Sequence, residues 1–290
     1  YYLCIPEGGV GEGWQTILRS KNIYGPYEKK VVLEQGNTTV NGPHQGALVD
    51  TPEGEWWFFH FQLTEPLGRV VHLLPVCWME NWTVIGVYMD KNGIGEPVKV
   101  WTKPGVSKSV LVSHPQTTDD FNSYTLGLQW QFNHNPVNTH WSLNERRGWL
   151  ALKALKAATL RESRNMLTQK CMGYLSTATV LLDFSALADG QRGGLFCTGS
   201  LYNGIGISRE EGKNYLYLEK NGDVQQVKMV SGKKIYLRVM LDAKKNRCQL
   251  FYSFDNCNFI LCGDAYSLKF GDWKGARVGL YSYNTLGIGG

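Results

Sequence analysis

Apolar positions along the chain recur every second residue in short runs, and almost nowhere do they keep a helical period over ten residues. Runs such as KKVVLEQ, VVHLLPVCW, YLYLEKNGD, KIYLRVMLD and CQLFYSFDN are separated by Gly, Asn, Asp and Pro. Strands at a spacing of roughly 8–12 residues with turn signals between them predict an all-β propeller, barrel or sandwich. The best helical candidate, WLALKALKAATL at 149–160, alternates at its start, Trp149, Ala151 and Lys153 against Leu150 and Leu152. It reads as strand.

One run does not alternate. Trp56-Trp57-Phe58-Phe59-His60-Phe61 is too apolar for a surface hairpin and predicts burial on both strand faces. It also belongs to a faint repeat. YYLCIPEGG followed by WQTILRSKNIYG is echoed about 55 residues later by WWFFHFQ followed by RVVHLLPVCWMENW, and a period near 50 is what propeller blades give. Each blade is a four-stranded sheet packed face to face with its neighbours, which covers a middle strand on both sides. Two copies do not close a propeller, so the pattern predicts the last blades of one, over 1–103, with further blades upstream. From Pro104 the texture changes: KPGVSKSVLVSHPQTTDDF reads as a linker at 104–120. The alternating strands of 121–290, with the turns KNGD and SFDNCNF, read as a β-sandwich accessory domain. The chain opens on Tyr inside a strand-like run and stops just after another, GLYSYNTLGIGG, so a cut at both ends is expected.

Composition narrows the function classes. The 290 residues are 43% hydrophobic and 19% charged, which suits one large or two ordinary globular domains. No stretch reaches the roughly 20 apolar residues of a membrane-spanning helix. The net charge of +5 is spread over isolated pairs, Lys29-Lys30, Arg146-Arg147, Lys233-Lys234 and Lys244-Lys245, so neither a membrane nor a nucleic-acid partner is expected. Seven cysteines, at 4, 77, 171, 197, 248, 257 and 262, show no zinc spacing and read as reduced, buried thiols, with pairing among the last three left open. Asn37-Thr38-Thr39 and Asn81-Trp82-Thr83 match the glycosylation sequon, a tripeptide common by chance. Compartment and homo-oligomeric state stay open.

YYLCIPEGGVGEGWQTILRSKNIYGPYE and GPHQGALVDTPEGEWWFFHFQ, continuing to GRVVHLLPVCW, closely resemble glycoside hydrolase family 43. LGLQWQFNHNP, WSLNERRGWLALKA and FYSFDNCNF resemble the concanavalin-like sandwich fused to the propeller in one branch of that family. The resemblance covers nearly the whole chain. It implies a five-bladed propeller followed by a β-sandwich, and an inverting β-xylosidase or α-L-arabinofuranosidase acting on xylo- or arabinoxylo-oligosaccharides. It also implies that the aspartate base, the pKa-tuning aspartate and the glutamate acid lie upstream of Tyr1. No catalytic residue is therefore assigned here, and the segment alone is expected to be inactive.

Candidate binding residues remain. His44, taken by itself, reads as a core histidine satisfied by backbone; the resemblance places it beneath the sugar, helping to hold one calcium ion at the propeller axis, directly or through water. Imidazole is an unusual calcium ligand, since calcium prefers oxygen. Gln45 is its neighbour. Arg69 reads alone as a surface arginine at a strand start, whereas the resemblance makes it the substrate-binding arginine, whose planar donors suit sugar hydroxyls and carboxylates. Glu7 is an orienting group near the sugar pocket on the same grounds, whereas Asp50, Glu53 and Glu55 read as solvated. Trp14, in a Gly-rich loop, is the tryptophan expected to be exposed for sugar stacking, and His60 and His72 are expected in the blade core. Phe132 and His134 are candidate pocket-lining residues from a sandwich loop, with an interdomain contact as the alternative. The rival reading is a non-catalytic carbohydrate-binding or structural module. A sialidase-like propeller would want an arginine triad, which Arg19 and Arg69 do not make.

Overall fold

The computed structural model describes residues 1–88, 91–105, 111–268 and 273–287. Among them strands dominate and there is no α-helix; single 3-10 turns occur at Asn138–His140 and Leu160–Glu162. No helix among them is long and apolar enough to cross a membrane. The chain divides into unit 1, Tyr1–Thr64 with Arg69–Ser113, and unit 2, Glu65–Gly68 with His114–Gly290. Of the linker expected at 104–120, residues 106–110 lie outside the described residues.

Two sheets build unit 1. The first holds β1 (Tyr2–Glu7), β2 (Trp14–Arg19) and β3 (Glu28–Leu33). The second is β4 (His44–Asp50), β5 (Trp56–Thr64), β6 (Gly68–Met79) and β7 (Trp82–Ile85), side by side in that order. Two short strands, β8 (Val87–Tyr88) and β9 (Gly95–Glu96), then return to the first sheet, where β9 pairs with β3. The two hairpins that echo each other in the sequence, β1–β2 and β5–β6, thus fall one in each sheet. Ile17, Val32 and Leu33 from the first pack on Phe58, Leu74 and Ile85 from the second, all six fully buried. Each such side chain stabilises by about 1.5–3 kcal/mol on removal from water.

The aromatic strand β5 corrects one expectation. Phe58 and His60 are buried, and so are Trp57 and Phe61 on the other face, but Phe59 between those two is 43% exposed. The cause is local: Phe59 is paired across the sheet with Ala47, whose methyl group covers little of a phenyl ring.

Unit 2 begins with four two-residue strands, β10 (Gln131–Phe132), β11 (Trp141–Ser142), β12 (Ala151–Leu152) and β13 (Leu155–Lys156). Longer strands follow: β14 (Leu167–Lys170), β15 (Leu175–Asp183), β16 (Gln191–Thr198), β17 (Tyr202–Glu210), β18 (Lys213–Lys220) and β19 (Asp223–Val230). The last are β20 (Lys234–Asp242), β21 (Arg247–Ser253), β22 (Ile260–Leu261), β23 (Tyr266–Ser267) and β24 (Arg277–Asn284). Most of them form one sheet in the order β10-β14-β24-β16-β17-β18-β19, with β13 beside β24, and another in the order β15-β20-β21-β22, with β23 beside β21, while β11 and β12 pair only with each other. The strand reading of 149–160 holds for β12 and β13 and fails beyond them, where the chain makes an irregular strap over 157–166.

Alternation sorts the side chains of unit 2. Ile235, Leu237, Val239 and Leu241 of β20 meet Leu195, Cys197, Ile205, Ile207, Leu216 and Leu218 between the sheets. The intervening residues of β16, β17 and β18, Phe196, Gly206 and Tyr217, face away from that core and are buried as well, whereas Met240 of β20 is exposed. Phe196, Tyr202, Tyr217, Tyr281 and Tyr283 form a second cluster, closed by Ala157, Leu160 and Met166 of the strap and its flank. Glu219, fully buried, accepts the Leu160 amide at 2.7 Å and the Tyr283 hydroxyl at 2.6 Å, and the hydroxyls of Tyr217 and Tyr281 are 2.7 Å apart. Gly206 makes room for this layer, since a Cβ there would lie 2.6 Å from the Tyr281 hydroxyl. All seven cysteines are free, and Cys197, Cys248 and Cys262 are buried. Cys77 and Cys257 are exposed, against expectation, because one sits on the outer face of β6 and the other in the turn after β21.

Candidate functional site

The ends of β1, β2, β4 and β5 bring several of the predicted residues of unit 1 together. His44 begins β4 and is 1% exposed. Its Nδ1 lies 2.7 Å from the Gly42 carbonyl, which can only accept, so Nδ1 carries the proton and in the neutral ring Nε2 keeps its lone pair. The backbone reading of this histidine is therefore half of the account; the other half is what Nε2 faces. The PEGGVGEG segment presses against it, and a Cβ on Gly13 would lie 2.8 Å from Nε2. Gly42, at φ +52°, is equally tight, its would-be Cβ 2.4 Å from the Val10 carbonyl oxygen.

Phe61 is paired in register with His44, and the two rings are 5.6 Å apart. Arg69, at the start of β6, places its guanidinium carbon 4.5 Å from the centre of the same Phe61 ring. Its Nε is buried without a hydrogen-bond partner. Arg69 is therefore not a solvated surface arginine; it is held on an aromatic face with a donor unspent. Gln45 sits on a β-bulge between His44 and Ala47, at φ +54°, and is exposed, so it does not share the His44 environment.

Glu7 ends β1 opposite Trp14. Its carboxylate takes Lys29 Nζ at 2.6 Å and the Thr16 hydroxyl. These contacts, Lys29 first and then Thr16, hold its carboxyl below the usual range, with a smaller contribution from the Trp14 side chain. Such a group stays ionised and orients its neighbours; it is unsuited to donating a proton. Trp14 is the first residue of β2, half-buried against Glu7, and not the exposed loop tryptophan expected, because the tight Gly8–Gly13 turn folds the chain back onto it.

His60 and His72 stack on each other at 5.3 Å. Burial pushes the His60 ring down to about 4 and lowers His72 as well, so the buried His60 is neutral at physiological pH, while His72 is only half-buried. Asp50, Glu53 and Glu55 are exposed. Phe132 and His134 belong to unit 2: Phe132 packs on Trp141 at 5.3 Å, and His134 Nε2 lies 3.2 Å from the Arg161 carbonyl. The sequence reading missed Phe61, which joins His44 to Arg69, and Gln15, fully buried, which donates to the Ile5 and Thr16 carbonyls and accepts from the Gly46 amide at 3.3 Å. A glutamine inside the apolar run WQTILR was the available signal for the second.

A calcium ion takes six to eight oxygen ligands. Among the described residues no group of three or more His, Cys, Asp and Glu could hold a metal ion, and His44 offers a nitrogen. These residues do not by themselves fit a calcium site.

Residues 1–83 match the model of glycosyl hydrolases family 43, and residues 118–289 match that of the beta xylosidase C-terminal concanavalin A-like domain. The chain belongs to glycosyl hydrolase family 43. It is 52% identical over 279 residues to a provisionally named beta-xylosidase of Xylanibacter ruminicola, covering 96% of this chain and 52% of the relative. It is 39% identical over 301 residues to a beta-xylosidase of Formosa agariphila, covering 93% and 50%. The family 43 chain thus spans about half the length of the curated relatives it matches. A crystal structure of a family 43 protein from Bacillus licheniformis superposes with a TM-score of 0.82 at 27% identity, covering 98% of this chain and 59% of that one.

Proposed function

We propose that this chain forms part of an inverting exo-glycosidase that removes terminal β-1,4-xylosyl or α-L-arabinofuranosyl residues from xylan oligosaccharides. The observation that carries the reading is Arg69, held over Phe61 beside His44 with its buried Nε unspent. A sugar hydroxyl or a carboxylate would satisfy that donor. In this reading Arg69 grips the sugar, His44 supports the floor beneath it, and Glu7 fixes Trp14 and Lys29 at the rim. Inverting hydrolysis needs an acid and a base roughly 6.5–9.5 Å apart. Glu7 is kept ionised by Lys29 and Thr16 and is not suited to be the acid, so the catalytic carboxylates are taken to lie upstream of Tyr1.

The rival, a sandwich that binds sugar on its sheet face, has an argument against it. The aromatic-rich face of the larger sheet is buried under the 157–166 strap, so its tyrosines are not available as a stacking platform.

The test is turnover of nitrophenyl β-xyloside and nitrophenyl α-L-arabinofuranoside by the 290-residue chain and by the full-length protein. Turnover by the full-length protein alone is the expected result. Turnover by the 290-residue chain would overturn the assignment of the carboxylates, and none by either would overturn the glycosidase reading.

A further inference from the structure

Unit 2 contains a cavity of about 610 Å³ at one end of its larger sheet, where Tyr202 of the tyrosine layer reaches its wall. Its wall includes Asn133, His134, Arg161, Tyr202, Trp273 and Arg277. Lys274 and Glu162 complete it, so the lining carries three full-time cations and one carboxylate. That imbalance alone would be a solvated basic surface. Arg277 makes it something else.

Arg277 is 3% exposed. It opens β24, paired with Lys170 of β14 on one side and Thr198 of β16 on the other, so its backbone is fixed inside the sheet. Among the described residues its side chain donates from Nη1 to the Thr168 hydroxyl at 3.3 Å, and its Nε is buried with no hydrogen-bond partner there. It forms no ion pair among the described residues. Taking a guanidinium out of water without an anion to meet it is costly. A carboxylate or similar anion in the cavity would relieve that cost, and the planar fork of Arg277 matches a carboxylate.

The rest of the wall selects more than charge. Trp273 is 59% exposed and offers a flat aromatic face against which the CH groups of a pyranose can pack. Asn133 is oriented by its bond to the Tyr202 hydroxyl at 2.9 Å, and His134 by the Arg161 carbonyl, giving fixed polar groups at the opposite wall. The volume falls within the roughly 300–1,000 Å³ of small-molecule pockets and is far larger than a single small anion needs. We propose that this cavity binds an acidic sugar, a hexuronate, with its carboxylate on Arg277 and its ring against Trp273. The proposal is independent of the reading of unit 1, since uronate binding and pentoside turnover are separate measurements.

Calorimetric titration of the intact protein with glucuronate, glucose and inorganic phosphate tests it. Glucuronate is expected to bind at least about tenfold more tightly than glucose or phosphate, and to weaken as salt rises. Arg277→Met should weaken glucuronate at least about tenfold. If that variant does not fold, Trp273→Ala and Arg161→Ala, both at exposed positions, decide by each weakening it by about threefold or more. Glucuronate no tighter than glucose, phosphate as tight as glucuronate, or Trp273→Ala without effect would each overturn the hexuronate assignment.

Discussion

Arg69 lies over the ring of Phe61 at 4.5 Å, and this aromatic contact stands where an isolated arginine would ordinarily have a carboxylate. The arrangement fixes the guanidinium plane while leaving hydrogen-bond donors for a ligand. In the full-length protein Arg69→Ala should therefore lower kcat/KM on nitrophenyl pentosides by about a hundredfold or more, with melting temperature little changed. Arg69→Lys should recover little of the loss, because an ammonium lacks the planar fork. Recovery to within about threefold of wild type would mean that only charge matters there.

A second expectation concerns pH. Burial alone would raise the Asp183 carboxyl, but hydrogen bonds from Ser185 and the Arg146 guanidinium, 2.7 Å away, outweigh it and bring it to about 2. A carboxyl whose folded value is depressed stabilises the fold at pH values above its unfolded value of 3.8 and loses that contribution as pH falls through about 2. Discounted for solvent screening, the loss on Asp183→Asn should be about 1 kcal/mol at neutral pH. Urea melts of the two proteins should converge towards pH 2. A gap that stays constant down to that pH would contradict the ion-pair origin.

Thiol chemistry gives a third check. Burial pushes the Cys171 thiol up to about 12 and the Cys262 thiol to about 11, while Cys77 and Cys257 are open to solvent. Since the thiolate is the reacting species, iodoacetamide on the native protein should label Cys77 and Cys257 first. Mass spectrometry after brief exposure reads this directly. Early modification of Cys171 would mean that unit 2 opens readily.

The buried carboxylate of Glu219 is the fourth. Glu219→Ala leaves the Leu160 amide and the Tyr283 hydroxyl without their acceptor inside an apolar layer, and should cost unit 2 about 3 kcal/mol or more. Glu219→Gln keeps one acceptor oxygen and should cost less. Denaturant unfolding followed by tyrosine fluorescence measures both, and a loss below about 1 kcal/mol for the alanine variant would show that water replaces the acceptor.

Much of this was legible in the sequence, and the limits have particular causes. Period-two alternation gave β20 and β21 nearly residue by residue, and the echo between the β1–β2 and β5–β6 hairpins placed one in each sheet. Phe59 escaped because its exposure depends on Ala47 across the sheet, a partner that no local window contains. His44 and Arg69 became site candidates only through the family resemblance, since alone they read as a core histidine and a surface arginine; Phe61, which joins them, looked like one more core phenylalanine. The glycines of PEGGVGEG read only as a Gly-rich loop, whereas Gly13 is needed for the backbone to approach the His44 ring. The Arg277 cavity was invisible because its wall is drawn from residues scattered between 133 and 277.

The position of β24 has a consequence for how unit 2 is made. This strand lies between β14 and β16, so a strand made after all the other described strands of that sheet fills one of its interior slots. Until it arrives, β14 and β16 present unpaired edges, and the tyrosine layer lacks Tyr281 and Tyr283. During synthesis the sandwich must therefore wait, open at its middle, for residues 277–284 to leave the ribosome. That delay leaves a nascent chain dependent on protection from edge-to-edge association.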